Sequence, residues 1–182
     1  ADADSLISGN PDAAPTEIVE TDNRLIFNRC GRVDPLDFNA YRADGGFSNG
    51  PTSSESVLAE IRSSGLRGRG GAGFPAHIKW QTVADQPNNQ KYIVCNADEG
   101  DSGTFADRLI MEGDPFLLIE GMAIAAGAVG ASKGFIYLRS EYPEAAAILT
   151  EALQIGRREG ALNENFDIAL FIGAGAYICG EE

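Results

Sequence analysis

The 182-residue chain is long enough for one domain with a proper core, and its 43% apolar content is ordinary for a globular protein. A formal net charge of −13 repels polyanions, which argues against nucleic acid as a partner. Charged residues interrupt every apolar run before it reaches membrane-spanning length, so no direct membrane span is expected.

The N-terminus, ADADSLISGNPDAAPTE, is acidic and lacks the basic and apolar parts of a signal or transit peptide, so a cytoplasmic location is expected. Residues 1–50 read as a loosely structured extension or linker, with one short strand at Leu25-Ile26-Phe27. Residues 51–182 read as the folded domain. Thr52 with Glu55 has the pattern of a capping box, Val57, Leu58 and Ile61 share a helical face, and Gly65 is a helix stop. A glycine loop follows. From Gly65 to Gly73 there are five glycines and two arginines, and then come Phe74, the single His77, Lys79 and the single Trp80.

Beyond the loop, strand-like and helix-like runs alternate. KYIVCNA (91–97), GFIYLRSE (134–141) and FDIALFIGAG (166–175) read as buried strands. DPFLLIEGMAIAAGAVGA (114–131) reads as a deeply packed helix, and 142–160 as an amphipathic one. In the latter, Ile148, Leu149, Ala152 and Ile155 face inward, and Glu144, Glu151, Arg157 and Arg158 face outward. The β-α-β-α-β order predicts an α/β fold: a Rossmann-like parallel sheet with flanking helices, preceded by the Gly-rich loop and the N-terminal extension. Ligands of such sheets gather at the C-terminal strand ends.

Three segments carry candidate chemistry. Gly68, Gly70 and Gly73 match G-x-G-x-x-G, but a helix rather than a strand precedes them, so an ordinary Rossmann phosphate turn fits poorly. Bare backbone still lets N–H groups approach an anion. The first strand ends in Asn96-Ala97-Asp98-Glu99-Gly100-Asp101, whose amide and carboxylates suit a heterocycle edge or a ribose; acidic turn caps are the alternative. The third strand runs into GAGAYICGEE, with small residues, an aromatic ring and two acids. Cys30, Cys95 and Cys179 have no metal-ligand spacing, and their odd number argues against a disulfide framework, so no metal site is expected. His77 has no nucleophile partner.

The stretches SGLRGRGGAGFP followed by KW, KYIVCNADEGDSGTFADR followed by MEGDPF, and GAGAYICGEE resemble the flavin- and NADH-binding subunit of complex I and its relatives. Those relatives include NAD-reducing hydrogenases and NAD-dependent molybdenum formate dehydrogenases. The resemblance covers about residues 50 to 182, and DEGDSGTFADR is most similar to the formate dehydrogenase beta subunit. It implies FMN and NAD(H) as cofactors, with hydride transfer between nicotinamide and flavin and single-electron transfer onward through iron–sulfur clusters.

By the same resemblance, Gly68, Arg69, Gly70, Gly71, Ala72 and Gly73 line the flavin and nucleotide site with Lys79 beside them, and Phe74 stacks on adenine. Asn96, Asp98 and Glu99 meet the flavin, and Asp101 lies near the NADH ribose. Tyr177, Gly180, Glu181 and Glu182 close the far side, with Glu182 near the nicotinamide as the catalytic candidate. Implied partners are a thioredoxin-like [2Fe–2S] subunit and a larger cluster-bearing catalytic subunit. A [4Fe–4S] cluster is expected only in a C-terminal part that this sequence does not contain, so the chain is expected to be a fragment. Three departures stand out: Ala76-His77-Ile78 replaces Thr-Gly-Leu, Thr82 replaces a second aromatic, and Asp101-Ser102 replaces Glu-Pro. A non-catalytic nucleotide-binding or assembly module is the alternative of another class.

Overall fold

The computed structural model describes residues 25–48 and 53–175. Nine elements follow in order: α1 (Phe38–Ala43), α2 (Ser54–Ser64), α3 (Ala76–Ala84), β1 (Tyr92–Ala97), α4 (Ala106–Gly113), α5 (Pro115–Val129), β2 (Lys133–Leu138), α6 (Pro143–Arg158) and β3 (Asp167–Ile172). The strands form a parallel sheet in the order β1-β2-β3, with Cys95 opposite Ile136 and Ile136 opposite Leu170. Two crossovers of one hand, advancing the same way across a sheet, must lie on the same face. Accordingly α5 packs on β1 and β2, and α6 packs on β3.

Strand alternation then divides the sheet. Ile93, Cys95, Gly134, Ile136, Leu138, Ile168 and Leu170 turn toward the helices. Tyr92, Val94, Phe135 and Phe171 turn the other way, and Phe135 lies 5.9 Å from Tyr92 and 6.0 Å from Phe171 between ring centroids. Val94 is 66% exposed, so among the described residues this face is uncovered. The core lies on the helical side, where Phe116, Ile119, Ile136, Leu138, Leu149 and Ile168 are fully buried. Pro115 at the start of α5 and Pro143 at the start of α6 lack an N–H that the first turn does not need.

The N-terminal expectation is corrected in part. Leu25-Ile26-Phe27 forms bends rather than a strand, and Leu25 is 94% exposed. Residues 30–47 are not a loose linker. Phe38 packs edge-on against Phe116 at 5.0 Å, and Tyr41 is buried beside it. Polar pins hold the segment to α5 and to the residue before it: the Tyr41 hydroxyl donates to Glu120, Phe47 N–H donates to Glu120 at 2.8 Å, and Arg29 pairs with Asp114 at 3.0 Å. Burial raises the Asp114 carboxyl above its ordinary range, and the Arg29 bond offsets part of that rise.

Helix α2 starts from Ser53, whose side chain accepts the Ser56 N–H at 3.2 Å; the expected capping residue Thr52 lies outside the described residues. Gly65 ends α2 at φ 66°, as expected of a left-handed stop. Leu58 of α2 packs with Ala126, Ala128 and Val129 of the α5 end, and the Ser54 hydroxyl donates to the Ala128 carbonyl. Ile148 on α6 is only half-buried, and Leu153 takes a buried place instead.

Gly134 is where β2 comes closest to its neighbours. A Cβ there would sit 2.8 Å from the Phe166 ring and 2.9 Å from Ile168. Overpacking of this kind costs about 1–3 kcal/mol. Gly134→Ala should lower the denaturant midpoint by an amount equivalent to about that range, with the slope of the transition unchanged; a midpoint equal to the parent's would show that the site has room.

Candidate functional site

The glycine loop joins two helices. Its neck is a short antiparallel bridge between Arg67 and Pro75, where Gly68 N–H donates to Phe74 O at 2.8 Å and Ala76 N–H to Leu66 O at 2.9 Å. Arg67 Nε donates to Gly73 O at 2.6 Å and fixes the inner side. Gly71 at φ 106° and Gly73 at φ 61° occupy backbone regions that side chains disfavour. Above the neck, six consecutive N–H groups, Arg69 to Phe74, donate to no acceptor among the described residues. A Cβ on Gly70 or Gly71 would meet nothing within 4 Å among the described residues.

Helix α3 starts directly after the loop, which the sequence reading missed. It is short and buries no residue fully, so its apolar period is weak. Its start presents Phe74, 45% exposed, with Lys79 Nζ 5.9 Å from the ring centroid. His77 Nδ1 is buried without a hydrogen-bond partner. Among the described residues, N–H groups that meet no acceptor, a crest without neighbours and an exposed ring fit the phosphate and flat heterocycle of a nucleotide cofactor.

The second group lies at the C-terminal end of β1. Asn96 points to the uncovered side of the sheet and its side-chain oxygen accepts Asp98 N–H at 3.0 Å. Asp98 is half-buried and Asp101 is exposed. The loop turns at Thr104, which donates its N–H to Asp101 O at 3.2 Å, with Gly103 at φ 82°.

Glu99 behaves differently. At 7% exposure it turns inward. Its carboxylate accepts Asp107 N–H at 3.0 Å, Arg108 N–H at 3.2 Å and the Tyr142 hydroxyl at 3.1 Å, and its carbonyl accepts from Arg139. Those side-chain contacts tie Glu99, expected at the flavin, to α4 and to Tyr142. Arg108, Arg139 and Tyr142 are functional candidates that sequence reading missed. Tyr142 lies 43 residues from Glu99, and no local periodicity reports such a pairing.

At the end of β3, Gly173 donates its N–H to Leu138 O at 2.7 Å, and a Cβ there would sit 3.0 Å from the Tyr137 ring. Tyr177, Gly180, Glu181 and Glu182 lie outside the described residues. Asn96, Asp98 and Asp101 thus share one strand end. Among the described residues, no hydrogen bond or ion pair joins them to Gly68–Phe74 or Lys79.

A family model described as the Nuo51 FMN-binding domain matches residues 61–182. The chain belongs to the Nuo51 FMN-binding domain family. It is 45% identical over 170 residues to the NADP-reducing hydrogenase subunit HndC of Solidesulfovibrio fructosivorans, covering 87% of this chain and 34% of that protein. To an NADH-quinone oxidoreductase subunit of Aquifex aeolicus it is 40% identical over 181 residues, covering 93% of this chain and 42% of the relative. A solved NAD+-reducing [NiFe]-hydrogenase in the H2-reduced state matches with a TM-score of 0.72 at 32% identity, over 88% of this chain and 27% of that one. The chain therefore spans less than half the length of these relatives. Among the described residues, no helix is long and apolar enough to cross a membrane.

Cys95 immediately precedes Asn96 and turns to the covered side of this family's sheet. Burial, with the Asp107 charge second, pushes its thiol up from 9.0 to about 11. The folded chain then holds a proton that the unfolded chain releases between those values, so this group's contribution to stability falls as pH rises from 9.0 to about 11. Alkylation of Cys95, followed by peptide mass spectrometry, should be at least about tenfold slower at pH 8 than for an unstructured peptide thiol and should climb toward pH 11. Equal rates at pH 8 would contradict the buried placement.

Proposed function

We propose that this chain supplies the FMN- and nicotinamide-binding region of a multisubunit oxidoreductase. The observation that carries the reading is the row of N–H groups from Arg69 to Phe74 that meet no acceptor among the described residues, beside an exposed aromatic ring and a lysine, in a chain of the Nuo51 FMN-binding domain family. Those N–H groups bind phosphate oxygens, and Lys79 adds a mobile positive charge in a chain whose net charge is −13. The Phe74 ring offers a stacking face for adenine. Asp98 and Asp101 accept hydrogen bonds from ribose hydroxyls or the ring edge. When bound, FMN accepts or returns a hydride and exchanges electrons singly with iron–sulfur clusters. The protein holds the two rings in register, which is its main contribution to that reaction. Tyr177, Gly180, Glu181 and Glu182 are assigned to the far side of the same pocket, with Glu182 at the nicotinamide.

The partners in this reading are a thioredoxin-like [2Fe–2S] subunit and a larger cluster-bearing catalytic subunit, in a cytoplasmic complex. The names of the relatives, an NADP-reducing hydrogenase subunit and an NADH-quinone oxidoreductase subunit, support a nicotinamide dinucleotide as substrate. The wording of DEGDSGTFADR at 98–108 favours the formate dehydrogenase type, oxidising formate to CO2 while reducing NAD+.

The complex purified from its native source should release about one FMN per copy of this chain on denaturation and should reduce ferricyanide with NADH. Formate-dependent NAD+ reduction with bound molybdenum would fix the finer type, and hydrogen-dependent reduction with nickel would replace it by the hydrogenase type. A folded complex without flavin contradicts the reading.

A further inference from the structure

Two helices end beside one lysine. Helix α3 stops at Ala84 and α5 at Val129, and neither has a basic residue in its last turn. A helix end carries carbonyls without an intrahelical donor and a partial negative charge, and both favour a cation. Lys91, immediately before β1, supplies that cation from outside both helices. Its Nζ donates to the Ala84 carbonyl at 2.8 Å and lies 3.9 Å from the point where a Cβ on Gly130, the cap of α5, would sit.

The other carbonyls at this end of α3 are satisfied locally. Gln81 O accepts Asp85 N–H at 2.9 Å, Val83 O accepts Gln86 N–H at 3.2 Å, and Thr82 O accepts from the Gln86 side chain at 3.1 Å. Those donors lie within four residues and travel with the helix. Lys91 travels with the sheet: Tyr92 after it begins β1, and the Gln90 side chain before it donates to the Ser132 hydroxyl, next to β2, at 3.1 Å. Lys91 therefore ties the end of α3 to the sheet and to the end of α5. Helix α2 is fixed at the same place, where the Ser54 hydroxyl donates to the Ala128 carbonyl. The opposite ends of α2 and α3 carry the glycine loop, and there Leu66 and Phe74 are exposed. The loop thus takes its position from the base of its two helices. The nine residues of α3 span about 14 Å, so a tilt of about 4° at Ala84 moves the start of the helix, and Phe74 with it, by about 1 Å. A displacement of that size is enough to spoil the alignment of a bound ligand.

We propose that Lys91 is a positioning residue for the nicotinamide nucleotide: its ammonium clamps the C-terminal end of α3 against that of α5 and so sets the place of the glycine loop and Phe74. This rests on the functional reading above. Lys91 itself stands at the N-terminal end of β1, away from the strand ends and the loop, and acts through α3. Lys91→Met keeps the aliphatic stem and removes the ammonium. Lys91→Arg keeps the positive charge.

The test uses the native complex carrying each variant. KM for NADH and kcat per bound flavin, with ferricyanide as acceptor, are read together with amide exchange. Lys91→Met should raise KM for NADH about fivefold or more with kcat within about twofold, because a displaced loop loses binding equally in ground and transition states. Lys91→Arg should bring KM back to within about twofold of the parent's. Exchange at Asp85 and Gln86 should be at least about tenfold faster in Lys91→Met, with exchange across Tyr92–Ala97 unchanged. An unchanged KM in Lys91→Met, an equal rise in both variants, or faster exchange throughout Tyr92–Ala97 would overturn the proposal. Should Lys91→Met not assemble, Lys91→Gln, which keeps a donor without the charge, should show the same rise in KM, and a parental KM there would overturn it. A wild type without FMN and without NADH oxidation sinks the functional reading and the nucleotide part of this inference with it. The clamp is then decided by exchange at Asp85 and Gln86 alone, and unchanged exchange there would remove it as well.

Discussion

Strand β2 uses its backbone on both sides, pairing in parallel with Tyr92–Ala97 along one edge and Asp167–Ile172 along the other. That double pairing fixes where everything else stands. It aligns the three C-terminal strand ends, so that Ala97, Leu138 and Ile172 share one level. It also requires the two crossover helices to share a face, which leaves the Tyr92, Val94, Phe135 and Phe171 side uncovered among the described residues. Parallel sheets are as a rule covered on both faces. The aligned ends are where sheets of this class take ligands, and the acidic turn after β1 is placed there by backbone pairing rather than by its own chemistry.

The glycine loop is held differently. Its neck is a two-residue bridge and its helices, α2 and α3, lean on the end of α5 through Leu58, Trp80 and Ala126. At the crest, Gly71 and Gly73 have positive φ, and the N–H groups from Arg69 to Phe74 meet no acceptor among the described residues. The two segments thus carry complementary chemistry: donors and positive charge on the loop, acceptors on the turn. A nucleotide, which has anionic phosphates and donor hydroxyls on one molecule, needs both.

Much of the sheet was legible in the sequence. Its strands are short continuous apolar runs, α5 is apolar on nearly every side, and α6 shows a clean helical period. The N-terminal segment was misread because its composition is polar and glycine-rich, while its two anchoring rings, Phe38 and Tyr41, are three residues apart on a six-residue helix too short to show a period. Helix α4 was missed for a physical reason: the residue that caps it, Glu99, stands eight residues before its partner Asp107. Of the candidate site, the residue types at strand ends and in a glycine loop were legible in the sequence. The inward turn of Glu99 was not, since it depends on Tyr142, brought close only by the pairing of β1 with β2.

Amide hydrogen exchange of the native complex, with and without NADH, tests most directly whether loop and turn serve one ligand. If they do, NADH slows exchange at both Arg69–Phe74 and Asp98–Thr104, two segments that no hydrogen bond joins among the described residues. Slowing at neither, or at only one of them, would contradict a single nucleotide site built from both.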